Sequence, residues 1–166
     1  MAELTRVLSK DQIDAAVMHL AHRISKDYQG KDLLLVGILK GSFIFLADLA
    51  RALTIPAEID FVGASSYGTK TCSSGNVKLT RDLQSDIAGR HVLLVEDIID
   101  SGNTLEFLIQ HIKSRGPESL HVCAMIDKVE RRACNITADY VGHRVEKGFL
   151  VGYGLDYNEQ YRNLPE

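Results

Sequence analysis

The sequence predicts an α/β protein, a twisted and mainly parallel sheet flanked by helices. Continuous apolar runs such as Leu33–Leu39 and Val92–Val95 have the length of strands buried on both faces. Segments with apolar residues at helical spacing lie between such runs, for example Leu105, Leu108, Ile109 and Ile112. Strands that alternate with helices give a doubly wound sheet with right-handed crossovers. At 166 residues the chain is expected to form one domain, 1–166.

Taken in order, Ser9-Lys10-Asp11-Gln12 reads as a capping box opening the first helix. Ile13, Val17, Leu20, Ala21 and Ile24 form its apolar stripe, and Gly30 is its expected stop. Leu33–Leu39 is the first strand, Lys40-Gly41-Ser42 a turn, and Phe43–Leu53 a helix ended near Pro56. Ile59–Ala64 is the next strand. The polar stretch from Ser65 to Asp82 is too long for an idle loop in a compact domain. It reads either as a mobile lid or as an exposed β-hairpin, and a lid can itself be a hairpin. His91–Ile99 is the central strand, Leu105–Ser114 a helix closed by Gly116 and Pro117, and Leu120–Ile126 a further strand. Ala138–Val141 and Phe149–Val151 are expected as two more short strands.

Composition excludes several classes. A net charge of −3 with interspersed acids and bases argues against a general nucleic-acid binder. The most apolar window, Leu33–Ala50, is interrupted by Lys40 and Asp48, so no membrane span is expected. Cysteines at 72, 123 and 134 match no zinc or thioredoxin spacing and read as incidental thiols of a reducing cytoplasm.

Chemistry concentrates after the central strand. Val92-Leu-Leu-Val95 runs into adjacent carboxylates, Glu96 and Asp97, followed by Asp100 and then Ser101-Gly102-Asn103-Thr104 before a helix. In open α/β sheets ligands sit where strands end and helices begin. Unpaired N–H groups at the helix start suit a phosphate, and the acids suit a divalent metal or a sugar diol. Together they point to a phosphorylated sugar. Rival motifs fail: Gly63–Thr71 carries Thr69 where a P-loop needs Lys, and Gly152-Tyr153-Gly154 continues to Tyr157 where a dinucleotide fingerprint needs a small residue. Neither H-E-x-x-H nor G-x-S-x-G occurs.

The string V-L-L-V-E-D-I-I-D-S-G-N-T-L over 92–105 resembles the 5-phosphoribosyl diphosphate (PRPP) motif of type I phosphoribosyltransferases, and most closely that of the hypoxanthine (6-oxopurine) enzymes. Gly37-Ile-Leu-Lys40-Gly41-Ser42 is similar to that family's pyrophosphate loop, and Ser65-Ser66-Tyr67-Gly68 to the opening of its flexible lid, about 65–82. Asp127-Lys128 resembles the purine-binding lysine, and Phe149–Arg162 the C-terminal base and pyrophosphate segment. The stretch Gly142–Gly148 departs from the pattern, carrying charge where relatives often have an aromatic residue and a Pro. The chain also stops at Glu166, where many relatives add a strand.

The resemblance implies a type I phosphoribosyltransferase fold with a small base-binding hood over about 138–166, and the following roles. Glu96 and Asp97 face the ribose hydroxyls directly or through Mg²⁺. Side chains alternate along a strand, so the backbone is expected to turn for both to converge. Asp100 takes the N7 proton of the purine; as a residue alone it also fits a helix N-cap. Ile98 lies within the motif, and Ser101, Gly102, Asn103 and Thr104 hold the 5′-phosphate. Lys128 donates to the 6-oxo group; the lesser alternative is a surface lysine ending a strand. Phe149 stacks on the base, although a lone Phe is usually core, and the Leu150 backbone meets the base edge. Asp156 serves a second Mg²⁺, while Lys40, Gly41 and Arg162 hold pyrophosphate, with a cis peptide at Lys40–Gly41. Ser66 and Tyr67 belong to the lid. The implied activity is purine salvage in the cytoplasm, giving IMP or GMP and pyrophosphate from hypoxanthine or guanine. A homodimer or homotetramer is expected, with no nucleic-acid or membrane partner. Alternatives are a preference for xanthine or a pyrimidine, or a nucleotide-sensing regulator.

Overall fold

The computed structural model describes residues 3–66 and 77–166. Tyr67 and the rest of 67–76, where the lid is expected, lie outside the described residues. The elements run α1 (Lys10–Asp27), β1 (Leu33–Leu39), α2 (Phe43–Ala52), β2 (Glu58–Ser66), β3 (Val77–Arg81), β4 (His91–Ile99), α3 (Asn103–Lys113), β5 (Ser119–Lys128) and β6 (Tyr140–Val145). They build one six-stranded sheet in the order β3-β2-β1-β4-β5-β6. All neighbours are parallel except β2 and β3, which pair antiparallel from Gly63↔Arg81 to Ser66↔Val77. The ends of the 65–82 stretch are therefore hairpin strands.

Strand alternation divides the core in two. Leu33, Leu35, Leu93 and Val95 face α1 and α2, whereas Leu34, Val36, Val92 and Leu94 face α3. Both faces of β1 and β4 are thus buried, which is why these strands are continuously apolar. The capping box forms as expected: the Gln12 N–H donates to Ser9 Oγ at 3.1 Å, and the Ser9 N–H donates to Gln12 Oε1 at 2.8 Å.

Several expectations need correction. Phe149–Val151 is not a strand, because three apolar residues are too few to fix a period and the segment pairs only through an isolated bridge at Gly152. The edge strand is β6, displaced from 138–141 to 140–145, and it absorbs the charged stretch. Its His143 and Arg144 pair with Ile126 and Asp127 of β5. Charged side chains on an edge strand discourage pairing with another chain. Helix α3 begins two residues earlier than Leu105. Cys123 is a buried free thiol.

The chain goes outward from β1 through β2 to β3, then returns to β4 and goes outward the other way. The C-terminal ends of the adjacent strands β1 and β4 therefore form the switch point of the sheet, the usual crevice for ligands.

Candidate active site

The crevice holds a pocket of about 220 Å³ lined by Leu39 and Gly41 after β1 and by Glu96, Asp97, Asp100 and Ser101 from β4 and its loop. A cavity of about 630 Å³ lies elsewhere, between residues 3–8, the 147–155 segment and residues 164–166, and shares only Asp97 with the crevice. Phe149 and Leu150 line that larger cavity, whereas the carboxylates and the start of the helix after β4 line the smaller pocket.

Glu96 is only 9% exposed. Burial and then the neighbouring Asp97 push its carboxyl well above the usual range, and no cation among the described residues offsets them. The backbone does not turn here, since β4 runs unbroken to Ile99, yet both acids line the pocket. Asp97 Oδ1 accepts the Ile98 N–H at 2.8 Å. A Cβ on Gly41 would fall inside the Asp97 carboxylate, and one on Gly154 would meet the Gly41 carbonyl. Gly154, Gly41 and Asp97 are thus stacked so closely that only glycine fits at the first two. The cis peptide is Leu39–Lys40, one bond earlier than expected. No proline marks a bond of this kind in a sequence.

Asp100 is not a helix cap. Gly102, at φ 88°, takes the N-cap position of α3, and no side chain caps the helix. That left-handed turn suits Gly and exposes the first-turn N–H groups at the pocket, beside Ser101 and Thr104. Ser101 Oγ accepts the Asn103 N–H at 3.3 Å. Asp100 Oδ1 is buried without a hydrogen bond, and Lys128 Nζ stands 3.5 Å from it. Lys128 is 4% exposed, which removes the surface-lysine alternative, and it donates to the Gly148 carbonyl at 2.9 Å. Phe149 follows with 71% exposure and is no core residue. Its ring meets Tyr157 edge-on at 5.8 Å, leaving it available for stacking. Leu150 is half-buried beside it.

Next to Gly41, Arg162 donates to the Gly154 carbonyl at 2.6 Å and pairs with Asp156 at 3.3 Å. Asp156 is therefore joined to Arg162. Lys40 Nζ meets Glu159 at 2.8 Å. Ser66 ends β2, exposed.

Sequence reasoning missed Arg132. Its guanidinium donates to the carbonyls of Asp100 (3.1 Å), Lys128 (3.2 Å), Ile136 (3.0 Å) and Ile99 (3.4 Å) and pairs with buried Asp127. It ties the carboxylate loop to the end of β5. Nothing in Glu130-Arg131-Arg132 distinguishes the two arginines, so no signal could have found it.

A strongly held anionic sugar phosphate, a hard cation between carboxylates and a planar base at Phe149 all fit this layout. The chain matches the phosphoribosyl transferase domain family over residues 4–158. It is 45% identical over 164 residues to the hypoxanthine-guanine phosphoribosyltransferase of Mycobacterium tuberculosis, covering 95% of this chain and 81% of that one. It is 43% identical over 161 residues to the hypoxanthine phosphoribosyltransferase of Escherichia coli, covering 96% and 90%. A crystal structure of a hypoxanthine-guanine phosphoribosyltransferase from Bacillus anthracis superposes with a TM-score of 0.91 at 44% identity, covering 98% of this chain and 94% of that one. Site and similarity lead to one conclusion: the chain belongs to the phosphoribosyl transferase domain family.

Proposed function

We propose that the chain is a purine-salvage enzyme, transferring the 5-phosphoribosyl group of PRPP to N9 of hypoxanthine or guanine. The observation that carries this reading is Lys128 Nζ, buried 3.5 Å from Asp100 Oδ1 and joined to the Gly148 carbonyl just before exposed Phe149. A donor for a 6-oxo group and a base for the neighbouring N7 proton are thereby side by side. An amino group at the 6-position would offer donors to a donor, which selects against adenine.

As N9 attacks C1′, the bond from C1′ to the pyrophosphate oxygen breaks and its electron pair leaves with pyrophosphate. Asp100 accepts the N7 proton, and its carboxylate favours the positive charge developing on the ring. First-turn N–H groups of α3, with Ser101, Asn103 and Thr104, hold the 5′-phosphate. Lys40, Gly41 and Arg162 hold the departing pyrophosphate. Glu96 and Asp97 hold the ribose hydroxyls, and their uncompensated carboxylates suit Mg²⁺, a hard cation usually bound by one or two carboxylates plus substrate oxygens. Asp156 is the candidate for a second Mg²⁺. Bound there, the metal supplies charge neutralisation for the leaving group. Ser66 and Tyr67 belong to a lid that excludes water.

The reading includes a single domain with its hood at 138–166, a cytoplasmic location and a homodimer or homotetramer. No described helix is long and apolar enough to cross a membrane. The test is product formation from PRPP and Mg²⁺ with hypoxanthine, guanine, xanthine, adenine and uracil, beside Asp100→Asn. IMP without AMP, and at least a 100-fold loss in the variant, are expected from removing a general base. PRPP binding without turnover on any base would replace the enzyme with a nucleotide-sensing regulator.

A further inference from the structure

One carboxylate bridges the two cations assigned to the leaving group. Glu159 Oε2 lies 2.8 Å from Lys40 Nζ, and Glu159 Oε1 lies 3.1 Å from Arg162 Nη2. Each oxygen of a single side chain thus engages one of two cations that come from opposite ends of the chain. Pyrophosphate would offer the same thing, anionic oxygens spaced to meet an ammonium and a guanidinium.

The backbone holds Glu159 in this place by a demanding turn. Tyr157 and Gln160 exchange both N–H···O bonds at 3.0 Å, so Asn158 and Glu159 are the two central residues of a tight hairpin. Both have left-handed φ, 50° and 62°. Asn tolerates that region; Glu does so poorly, and Gly would suit it better. The Glu159 N–H also donates to Asp156 Oδ2 at 2.9 Å, tying the turn to another arm of the Arg162 cluster. Its carboxyl is held below the usual range by Lys40 and then Arg162, so it is a full anion at neutral pH.

We infer that Glu159 is a built-in stand-in for pyrophosphate: its carboxylate bridges Lys40 and Arg162 and must swing away when the diphosphate takes the same two cations. The inference rests on the reading that Lys40 and Arg162 hold the leaving group. It makes Glu159 a positioning residue that keeps two like charges preorganised and makes pyrophosphate compete for them. Both side chains of the Lys40–Glu159 pair are more than half exposed, so the competition is modest and sensitive to salt.

The experiment measures binding of pyrophosphate with Mg²⁺ by calorimetry, and KM for PRPP and for hypoxanthine, in Glu159→Gln, Glu159→Gly and Glu159→Asp. Each is compared at low and high ionic strength. Gln and Gly are expected to tighten pyrophosphate and lower KM for PRPP by about 2- to 5-fold, in keeping with an exposed ion pair. KM for hypoxanthine should not move, the gain should shrink at high salt, and Asp should restore part of the parent behaviour. Gly keeps the turn without a carboxylate, so a gain in Gln and Gly alike cannot come from a distorted loop. Unchanged or weaker pyrophosphate binding in both variants overturns the inference. Arg162→Gln serves as the control for the reading beneath it: if this variant binds pyrophosphate as well as the parent, the leaving-group assignment itself is wrong. Weaker binding in Arg162→Gln with no change in the Glu159 variants removes the stand-in alone.

Discussion

Glu96 shows what a ligand site costs the empty protein. Its carboxyl is buried beside Asp97, and burial first and Asp97 second raise its pKa above that of an unfolded chain. Its ionised form therefore opposes folding. That penalty is absent below the ordinary carboxylate range, grows as pH rises towards the folded value, and stays constant above it. Glu96→Gln is accordingly expected to melt higher than the parent at pH 8 and to lose that advantage near pH 4, while turnover with PRPP falls. Thermal melts at the two pH values decide it. Arg132 predicts the opposite outcome. Arg132→Met would leave buried Asp127, among the described residues, with only the exposed Arg144, 3.4 Å away, and should cost about 3–5 kcal/mol by chemical denaturation. Glu96 was legible in the sequence because an acid pair after an apolar run is conspicuous. Arg132 was not, because its importance lies in four carbonyls brought to it by three separate segments.

Elements were legible in proportion to how completely they are buried. β1 and β4 are covered on both faces and α1 carries a single stripe, so their composition alone announced them. The segment after β6 is held by turns, isolated bridges and contacts with the C-terminus, none of which leaves a period. Short polar connections can be just as decisive. Asp60 on β2 is buried and accepts the N–H groups of Phe61 (2.7 Å), Gln84 (2.9 Å) and Ser85 (2.9 Å), pinning the chain beyond β3 to the sheet. Burial pushes its pKa up, but the N–H bonds outweigh burial and hold it below the ordinary value. Its contribution is therefore complete above the unfolded pKa and is lost as pH falls through the folded one. Asp60→Ala should cost about 1–3 kcal/mol at pH 7 and progressively less under acid conditions, as denaturation curves across pH would reveal.

For the whole molecule, the order of the strands matters more than any one of them. Because the order in which strands are added reverses between the parallel strands β1 and β4, Gly41 meets Glu96 and Asp97 across one crevice despite more than fifty residues of separation. Ligand entering that crevice engages both halves of the sheet and should stabilise the fold as a unit. PRPP with Mg²⁺ at 100 times its Kd would add about 2.7 kcal/mol, which for a domain of this size is roughly 5–10 °C in Tm. A chelator should abolish most of that shift, since the carboxylate pair then faces the diol with its repulsion unrelieved. Asp100→Asn should retain the shift while losing turnover, because the proposed mechanism has Asp100 act on the purine and not on PRPP. The double variant Glu96→Gln, Asp97→Asn should lose it. A shift that survives the chelator and the double variant would move PRPP recognition away from the acid pair to the α3 N-terminus alone.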